Sequence, residues 1–196
     1  MTERIIRRVF NVERFTRTNV IASEIEKVID ALTSRYFDRR EFLGALDRFY
    51  IAIEDAASEV REWQDKQHFI NTVYERFFQG YSVKVADTHG IVYTPQEIVD
   101  FMCASVEEVL ENEFGKHLGD EDVYVIDPAT GTGNFIINLL ERAHQRNLRN
   151  FETFYKEQLF ANEVMLMPYY IASLNIEHTY YKLMGTPQPF EGICFV

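Results

Sequence analysis

The stretch that most restricts what this chain can fold into is residues 123–135, VYVIDPATGTGNF. A β-inclined run, Val123-Tyr124-Val125-Ile126, opens directly onto Asp127-Pro128-Ala129-Thr130-Gly131-Thr132-Gly133, and a helical pattern through Ile136, Ile137, Leu139 and Leu140 follows. A strand, a glycine-rich turn and a helix in that order place a ligand at the carboxyl end of the strand. Glycine lets the backbone approach the ligand closely, and the first amides of the helix have no partners of their own. The dinucleotide pattern G-x-G-x-x-G is not met, because Ile136 stands where the third glycine would be. The phosphate-cradling G-x-x-x-x-G-K-[ST] is absent, since no Gly-Lys-Ser or Gly-Lys-Thr occurs in the sequence. A pyrophosphate ligand is therefore disfavoured. Asp127 at the strand's end can accept from an ammonium group, and Glu163 at the end of the next predicted strand can accept both hydroxyls of a ribose. A ligand with an amino acid at one end and a nucleoside at the other suits that pair.

The rest of the chain divides in two. Up to about residue 80 the periodicity is helical, without a proline or a glycine-rich loop. A helix is predicted over Ser23 to Phe37. Asp38 and Glu41 form a capping pair ahead of a stripe of Phe42, Leu46, Phe49, Tyr50 and Ile53, and Phe69, Val73, Tyr74, Phe77 and Phe78 form another stripe. These aromatics are read as helix packing. After Gly80 strands and helices alternate. Thr94-Pro95-Gln96-Glu97 opens a helix, with Thr94 as cap, Pro95 in the first turn and Glu97 closing the capping box. Its apolar face is expected to be Ile98, Phe101, Met102, Val106, Val109 and Leu110, ending near Glu113. Short apolar runs at Leu159-Phe160-Ala161 and Ile193-Cys194-Phe195-Val196 are predicted strands, and a helix is predicted from Pro168 to about Leu183, stopped by Gly185. This alternation predicts an α/β fold with a parallel, doubly wound sheet.

Composition removes several classes of function. No apolar stretch approaches the ~20 residues that span a bilayer, and MTERIIRRVF is too charged for a secretory signal, so a cytoplasmic protein without membrane contact is expected. Cys103 and Cys194 are far apart in apolar surroundings, which predicts two buried, inert thiols and neither a disulfide framework nor a metal site. The net charge of −11 disfavours non-specific attraction to nucleic acid phosphates. The arginines Arg4, Arg7, Arg8, Arg14 and Arg17 near the start are read as a solvated face.

Asp127-Pro128-Ala129-Thr130-Gly131-Thr132-Gly133-Asn134-Phe135 resembles the S-adenosylmethionine loop of adenine-N6 DNA methyltransferases, whose usual form is Asp-Pro-Ala-Cys-Gly-Ser-Gly with a phenylalanine two places on. Thr130 and Thr132 depart from that form conservatively. Gly90-Ile91-Val92-Tyr93-Thr94-Pro95 is similar to the family's Gly-x-x-Tyr-Thr-Pro segment at the methionine end of the cofactor. Asn162-Glu163 followed by Pro168-Tyr169-Tyr170-Ile171-Ala172 is similar to its acidic ribose-binding position and the helix after it. Tyr74-Glu75-Arg76-Phe77-Phe78 resembles restriction-modification proteins of the type ISP and type IIG kind, which fuse a helicase, a helical coupler and an N6-adenine methylase in one chain. The resemblance is strong from Tyr74 to Val196 and weak before it.

The resemblance implies a helical coupler-like region over residues 1–82, followed over 83–196 by the first part of a Rossmann-like S-adenosylmethionine-dependent methyltransferase sheet. It implies S-adenosylmethionine as cofactor, held by Tyr93, Thr94, Asp127, Ala129, Thr130, Gly131, Gly133, Phe135 and Glu163. The family's base-binding motif, Asn/Asp-Pro-Pro-aromatic, is absent: none of the five prolines (Pro95, Pro128, Pro168, Pro187, Pro189) supplies it. The chain also stops within a predicted strand. A fragment inactive by itself is therefore expected, with DNA contacted by parts of the parent protein outside this chain and with fused helicase or nuclease domains. The alternative from another class is a helical protein-interaction module with a vestigial nucleotide-binding fold.

Overall fold

The structure is a computed structural model that describes residues 20–36, 47–60 and 94–195, together with Gly44, Phe69, Thr72 and Val73. The chain forms two compact units, Met1–Tyr74 and Glu75–Val196. The domain boundary expected after residue 82 lies outside the described residues, as does Tyr93.

In the first unit, α1 spans Val20–Tyr36 and α2 spans Asp47–Glu59. Tyr50 and Ala57, two turns apart, are the buried positions of α2, and Ala22 is buried in α1. Phe49, expected in the α2 stripe, is 54% exposed and lies under the Arg48 guanidinium, 4.9 Å from its centroid. Phe69 and Val73 of the next expected stripe are helical and half-buried; Phe42, Leu46, Tyr74, Phe77 and Phe78 lie outside the described residues.

The second unit runs α3 (Gln96–Phe114), β1 (Val125–Asp127), α4 (Asn134–Gln145), a short α5 (Phe151–Thr153) passing into a π-turn (Phe154–Gln158), β2 (Leu159–Glu163), α6 (Leu166–Met184) and β3 (Ile193–Phe195). The three strands form a parallel sheet in the order β1-β2-β3. Ile126 pairs with Phe160, and Asn162 with Cys194. The α/β expectation is met at the level of helices combined with a small parallel sheet. Strand β1 begins two residues later than predicted, because Val123 and Tyr124 precede its ladder with β2.

A parallel sheet holds together by burying its faces under helices, and strand positions alternate between the two. Here Leu159, Ala161 and Glu163 are buried, whereas Tyr124, Ile126 and Phe160 are exposed. The covered face carries the core: Ile136, Leu140, Phe154, Leu159, Ile171 and Ile176 are fully buried. Tyr155 packs against Tyr180 at 4.1 Å and Phe190 at 5.2 Å between ring centroids, and its hydroxyl donates to the Gln188 carbonyl at 3.0 Å. Burial therefore raises its pKa far above the usual phenol range.

Three expectations are corrected. Helix α3 starts one residue later than the capping box implies: Pro95 occupies the cap, its carbonyl accepts from the Ile98 and Val99 amides, and no side chain caps the helix. Thr94 and Glu97 therefore do not form the predicted box. The predicted apolar face of α3 is also turned outward. Val99, Cys103 and Glu107 are buried, while Ile98, Phe101, Met102, Val106 and Val109 are about half exposed or more. Polar contacts join α3 to α4 beside these buried positions. Glu107 Oε2 accepts from Arg142 Nε at 2.6 Å and Arg146 at 3.0 Å, and Asp100 Oδ1 accepts from Asn138. Finally, Cys103 is buried as expected, its thiol pushed up to about 11 by burial, but Cys194 is exposed.

Candidate cofactor site

The loop between β1 and α4 is built residue by residue from partners distant in sequence. Asp127 ends β1 half-buried, and its Oδ1 accepts from the Ala129 amide at 3.2 Å. Its Oδ2 is buried with no well-formed hydrogen bond. Burial raises the Asp127 carboxyl above the ordinary carboxylate range, opposed by the Ala129 amide and the nearby Thr130 hydroxyl. Thr130 is 4% exposed; its amide donates to the Asn162 carbonyl at 3.0 Å, and its Oγ1 is buried with no well-formed hydrogen bond. On the opposite strand, Asn162 Nδ2 donates to the Pro128 carbonyl at 3.3 Å.

Both glycines adopt the left-handed conformation that other residues avoid, Gly131 at φ 56° and Gly133 at φ 91°. They differ in their surroundings. A Cβ on Gly131 would meet nothing within 4 Å, whereas one on Gly133 would stand 3.3 Å from Ile176 Cγ1 and 3.4 Å from the Ala172 Cα of α6. Gly131 therefore faces open space and Gly133 is pressed against a helix.

Glu163 closes the arrangement. It is 7% exposed at the end of β2; Oε2 accepts from the Gly131 amide at 2.9 Å and Oε1 from the Met165 amide at 2.7 Å. A carboxylate offers about four lone-pair sites, so two remain for a ligand's donors. The structure thus brings Asp127, Ala129, Thr130, Gly131, Gly133 and Glu163 into one hydrogen-bonded constellation at the carboxyl ends of β1 and β2. Phe135 follows, half-buried, in the first turn of α4. Thr94 is half-buried just before α3, and α3 is joined to α4 through Asp100 and Asn138. Among the described residues no cluster of three or more metal-ligating side chains occurs.

Asn175 was missed by sequence reasoning. This fully buried residue of α6 donates from Nδ2 to the Thr132 carbonyl at 3.1 Å. The signal for it was a lone amide within the buried run Tyr169-Tyr170-Ile171-Ala172-Ser173-Leu174-Asn175-Ile176, since a polar side chain placed there needs a partner.

The residues fit a ligand that brings a cation to Asp127 and hydroxyls to Glu163. Two buried oxygens, Asp127 Oδ2 and Thr130 Oγ1, complete no well-formed hydrogen bond within the protein, although the Thr130 hydroxyl lies near enough to the Asp127 carboxylate to favour its charged form, and the loop's glycine face is open. Such orphaned polar atoms are costly unless something else completes them.

Comparison with known proteins agrees with this geometry. The family described as N-6 DNA Methylase matches residues 65–179. Three solved structures match nearly the whole chain. The DrdV–DNA complex is 36% identical over 100% of this chain at a TM-score of 0.86. The ATP-dependent type ISP restriction-modification enzyme LlaBIII bound to DNA is 34% identical over 99% at 0.82. A nuclease-deletion mutant of the type ISP enzyme LlaGI, in complex with a DNA substrate mimic, is 33% identical over 99% at 0.82. The chain spans 19%, 13% and 16% of those three chains, respectively. No curated protein matches. With more than half of its residues inside the family match and its glycine loop intact within that span, this chain belongs to the N-6 DNA methylase family.

Proposed function

We propose that this chain is the S-adenosylmethionine-holding part of an adenine-N6 DNA methyltransferase within a restriction-modification enzyme, with β1, β2 and β3 forming the first part of a Rossmann-like sheet. The observation that carries the reading is the loop itself. Glu163 accepts from the Gly131 amide, the Gly131 face stays open, and Asp127 Oδ2 lies buried at the strand's end with no well-formed hydrogen bond.

When bound, S-adenosylmethionine supplies an electrophilic methyl group on a sulfonium. In our reading Asp127 receives the α-ammonium, which offsets the burial that now raises its pKa. Ala129, Thr130, Gly131 and Gly133 shape the backbone around the methionine portion, Thr94 and Phe135 border it, Tyr93 is assigned to it by the resemblance alone, and Glu163 accepts the ribose hydroxyls with its remaining lone pairs. Holding the cofactor in one orientation is the contribution these residues can make to transfer. The acceptor adenine and the Asn/Asp-Pro-Pro-aromatic motif that would bind it are assigned to parts of the parent protein outside this chain, so we expect no DNA methylation by this chain alone. DNA, which DrdV, LlaBIII and LlaGI hold in their complexes, is the proposed partner of the parent protein, with helicase or nuclease domains fused to it and a cytoplasmic location. Among the described residues no helix is long and apolar enough to cross a membrane. The interaction-module reading is not favoured, since the family match includes an intact loop.

Calorimetric titration of the chain with S-adenosylmethionine and, separately, with NAD tests this. Saturable binding of S-adenosylmethionine, weakened in Glu163→Ala, is expected. Binding of NAD instead, or equal binding of S-adenosylmethionine by both proteins, would overturn the reading or remove Glu163 from the site.

A further inference from the structure

We propose that Asn175 of α6 is a positioning residue that sets the orientation of the Thr132–Gly133 peptide and so holds the cofactor loop in its open form before any ligand arrives. The inference rests on the S-adenosylmethionine reading for its consequence, though its geometry stands on contacts within the protein.

A single peptide plane has two polar ends. The carbonyl of Thr132 accepts from Asn175 Nδ2 at 3.1 Å, and the amide at the other end of the same peptide, on Gly133, donates to the Thr130 carbonyl at 2.9 Å. With both ends tied, that peptide cannot rotate without breaking a hydrogen bond. Two further contacts oppose rotation. Gly133 lies against Ala172 and Ile176 of the same helix that carries Asn175, and Gly131 is tied to Glu163. The carbonyl of Thr132 is thereby directed at α6 and away from the ligand face. A carbonyl turned the other way would point its negative end toward the open space assigned to the methionine portion of the cofactor.

Two other buried polar groups on α6 do not share this task. Ser173 and Thr179, also buried, donate to the carbonyls of Tyr169 and Asn175, one turn back in their own helix. The Asn175 side chain, by contrast, reaches out of the helix to the loop, across 43 residues of sequence. A loop shaped in advance binds more tightly because less ordering remains to be done on binding.

The test compares Asn175→Leu, which keeps the side chain's shape and loses its donor, with Ser173→Ala, which removes a buried hydroxyl from the same helix without touching the loop. Two readouts are taken. In amide hydrogen exchange of the unliganded chain, Gly133 is expected to exchange about tenfold faster or more in Asn175→Leu and unchanged in Ser173→Ala. In calorimetry, the affinity for S-adenosylmethionine is expected to fall about tenfold in Asn175→Leu only. Unchanged exchange at Gly133 in a folded Asn175→Leu protein overturns the inference, as does equal loss in both variants. Should Asn175→Leu not fold, NMR of the unmodified chain decides. The Asn175 side-chain amide protons are expected to be protected from solvent and to show a cross-relaxation contact with Gly133, and their absence overturns the inference. If the unmodified chain binds no S-adenosylmethionine while the exchange result holds, the functional reading fails and the positioning role stands.

Discussion

Alanine at each glycine of the loop separates two jobs that the sequence pattern merges. At Gly133 the backbone is left-handed, which costs an alanine about 1–2 kcal/mol. The new Cβ also meets Ile176 at 3.3 Å and the Ala172 backbone at 3.4 Å, an overpacking of about 1 kcal/mol against a helix that cannot swing aside. The unfolded chain loses freedom too, which returns about 0.4–1 kcal/mol. The net expectation for Gly133→Ala is a loss of about 2 kcal/mol, or a melting temperature lower by about 4–8 °C for a chain of this size. Gly131→Ala carries the same backbone cost but meets no atom within 4 Å, so its net loss is about 1 kcal/mol or less. Its Cβ enters the open space assigned to the cofactor, and affinity for S-adenosylmethionine is expected to fall at least about tenfold, which is about 1.4 kcal/mol of binding energy. Thermal melts and calorimetry on the two variants are the assays. A Gly131→Ala protein that binds as tightly as the unmodified chain would refute the assignment of that space. A Gly133→Ala protein that melts at the unmodified temperature would refute the packing argument.

Three other outcomes follow from the geometry. Glu177, whose Oε1 accepts from the Phe190 amide at 3.1 Å, has its carboxyl pushed up from 4.5 to about 7 by burial, against the opposing pull of that amide. The folded protein therefore binds this proton more tightly than the unfolded chain. The associated stability is complete below about pH 4.5 and lost as pH rises through about 7, amounting to about 3 kcal/mol by linkage. Glu177→Gln keeps the acceptor and should be more stable than the unmodified chain at pH 8 and similar to it at pH 4.5, read from denaturant midpoints; an equal difference at both values would refute the burial argument. Glu107→Ala should cost about 2–3 kcal/mol in urea unfolding, since it strips Arg142 and Arg146 of their shared carboxylate at the α3–α4 contact, and a change under about 0.5 kcal/mol would mean the pair is solvated. Thiol titration of the native chain at pH 8 should modify Cys194 quickly and Cys103 only after denaturation, because Cys103 is buried with its thiol held at about 11; equal rates would contradict the placement of α3.

What could be read in the sequence was whatever depended on neighbours in the chain. The run from Val123 into the glycine loop and α4 was legible because hydrophobicity, glycine and helical period change within a few residues. The parallel sheet was legible from the repeated alternation of strand and helix. The orientation of α3 was not. Periodicity reports that an apolar stripe exists, but the face that meets α4 also carries Glu107 and Asp100, whose partners Arg142, Arg146 and Asn138 are 35–39 residues away and invisible to local periodicity. The same limit applies to Cys194, whose apolar neighbours in sequence lie on a strand with one exposed side. In the candidate site, Asp127, Gly131, Gly133 and Glu163 could be named from strand ends and glycine spacing. Asn175 could not, because its value lies in a carbonyl that only the folded chain brings within reach.

The loop's bonds also set when it can exist. Gly131 waits for Glu163, 32 residues later, and Thr132 for Asn175, 43 residues later. A peptide of residues 123–145 contains the whole glycine signature yet none of these partners, so it should remain an unstructured turn before a fraying helix. Each of these contacts must close a long loop of chain before it returns any stabilisation, which places the cradle late in folding, after β2 has added to β1 and α6 has docked. During synthesis the chain therefore emerges with its most recognisable motif first and its capacity to grip a ligand only some forty residues afterwards.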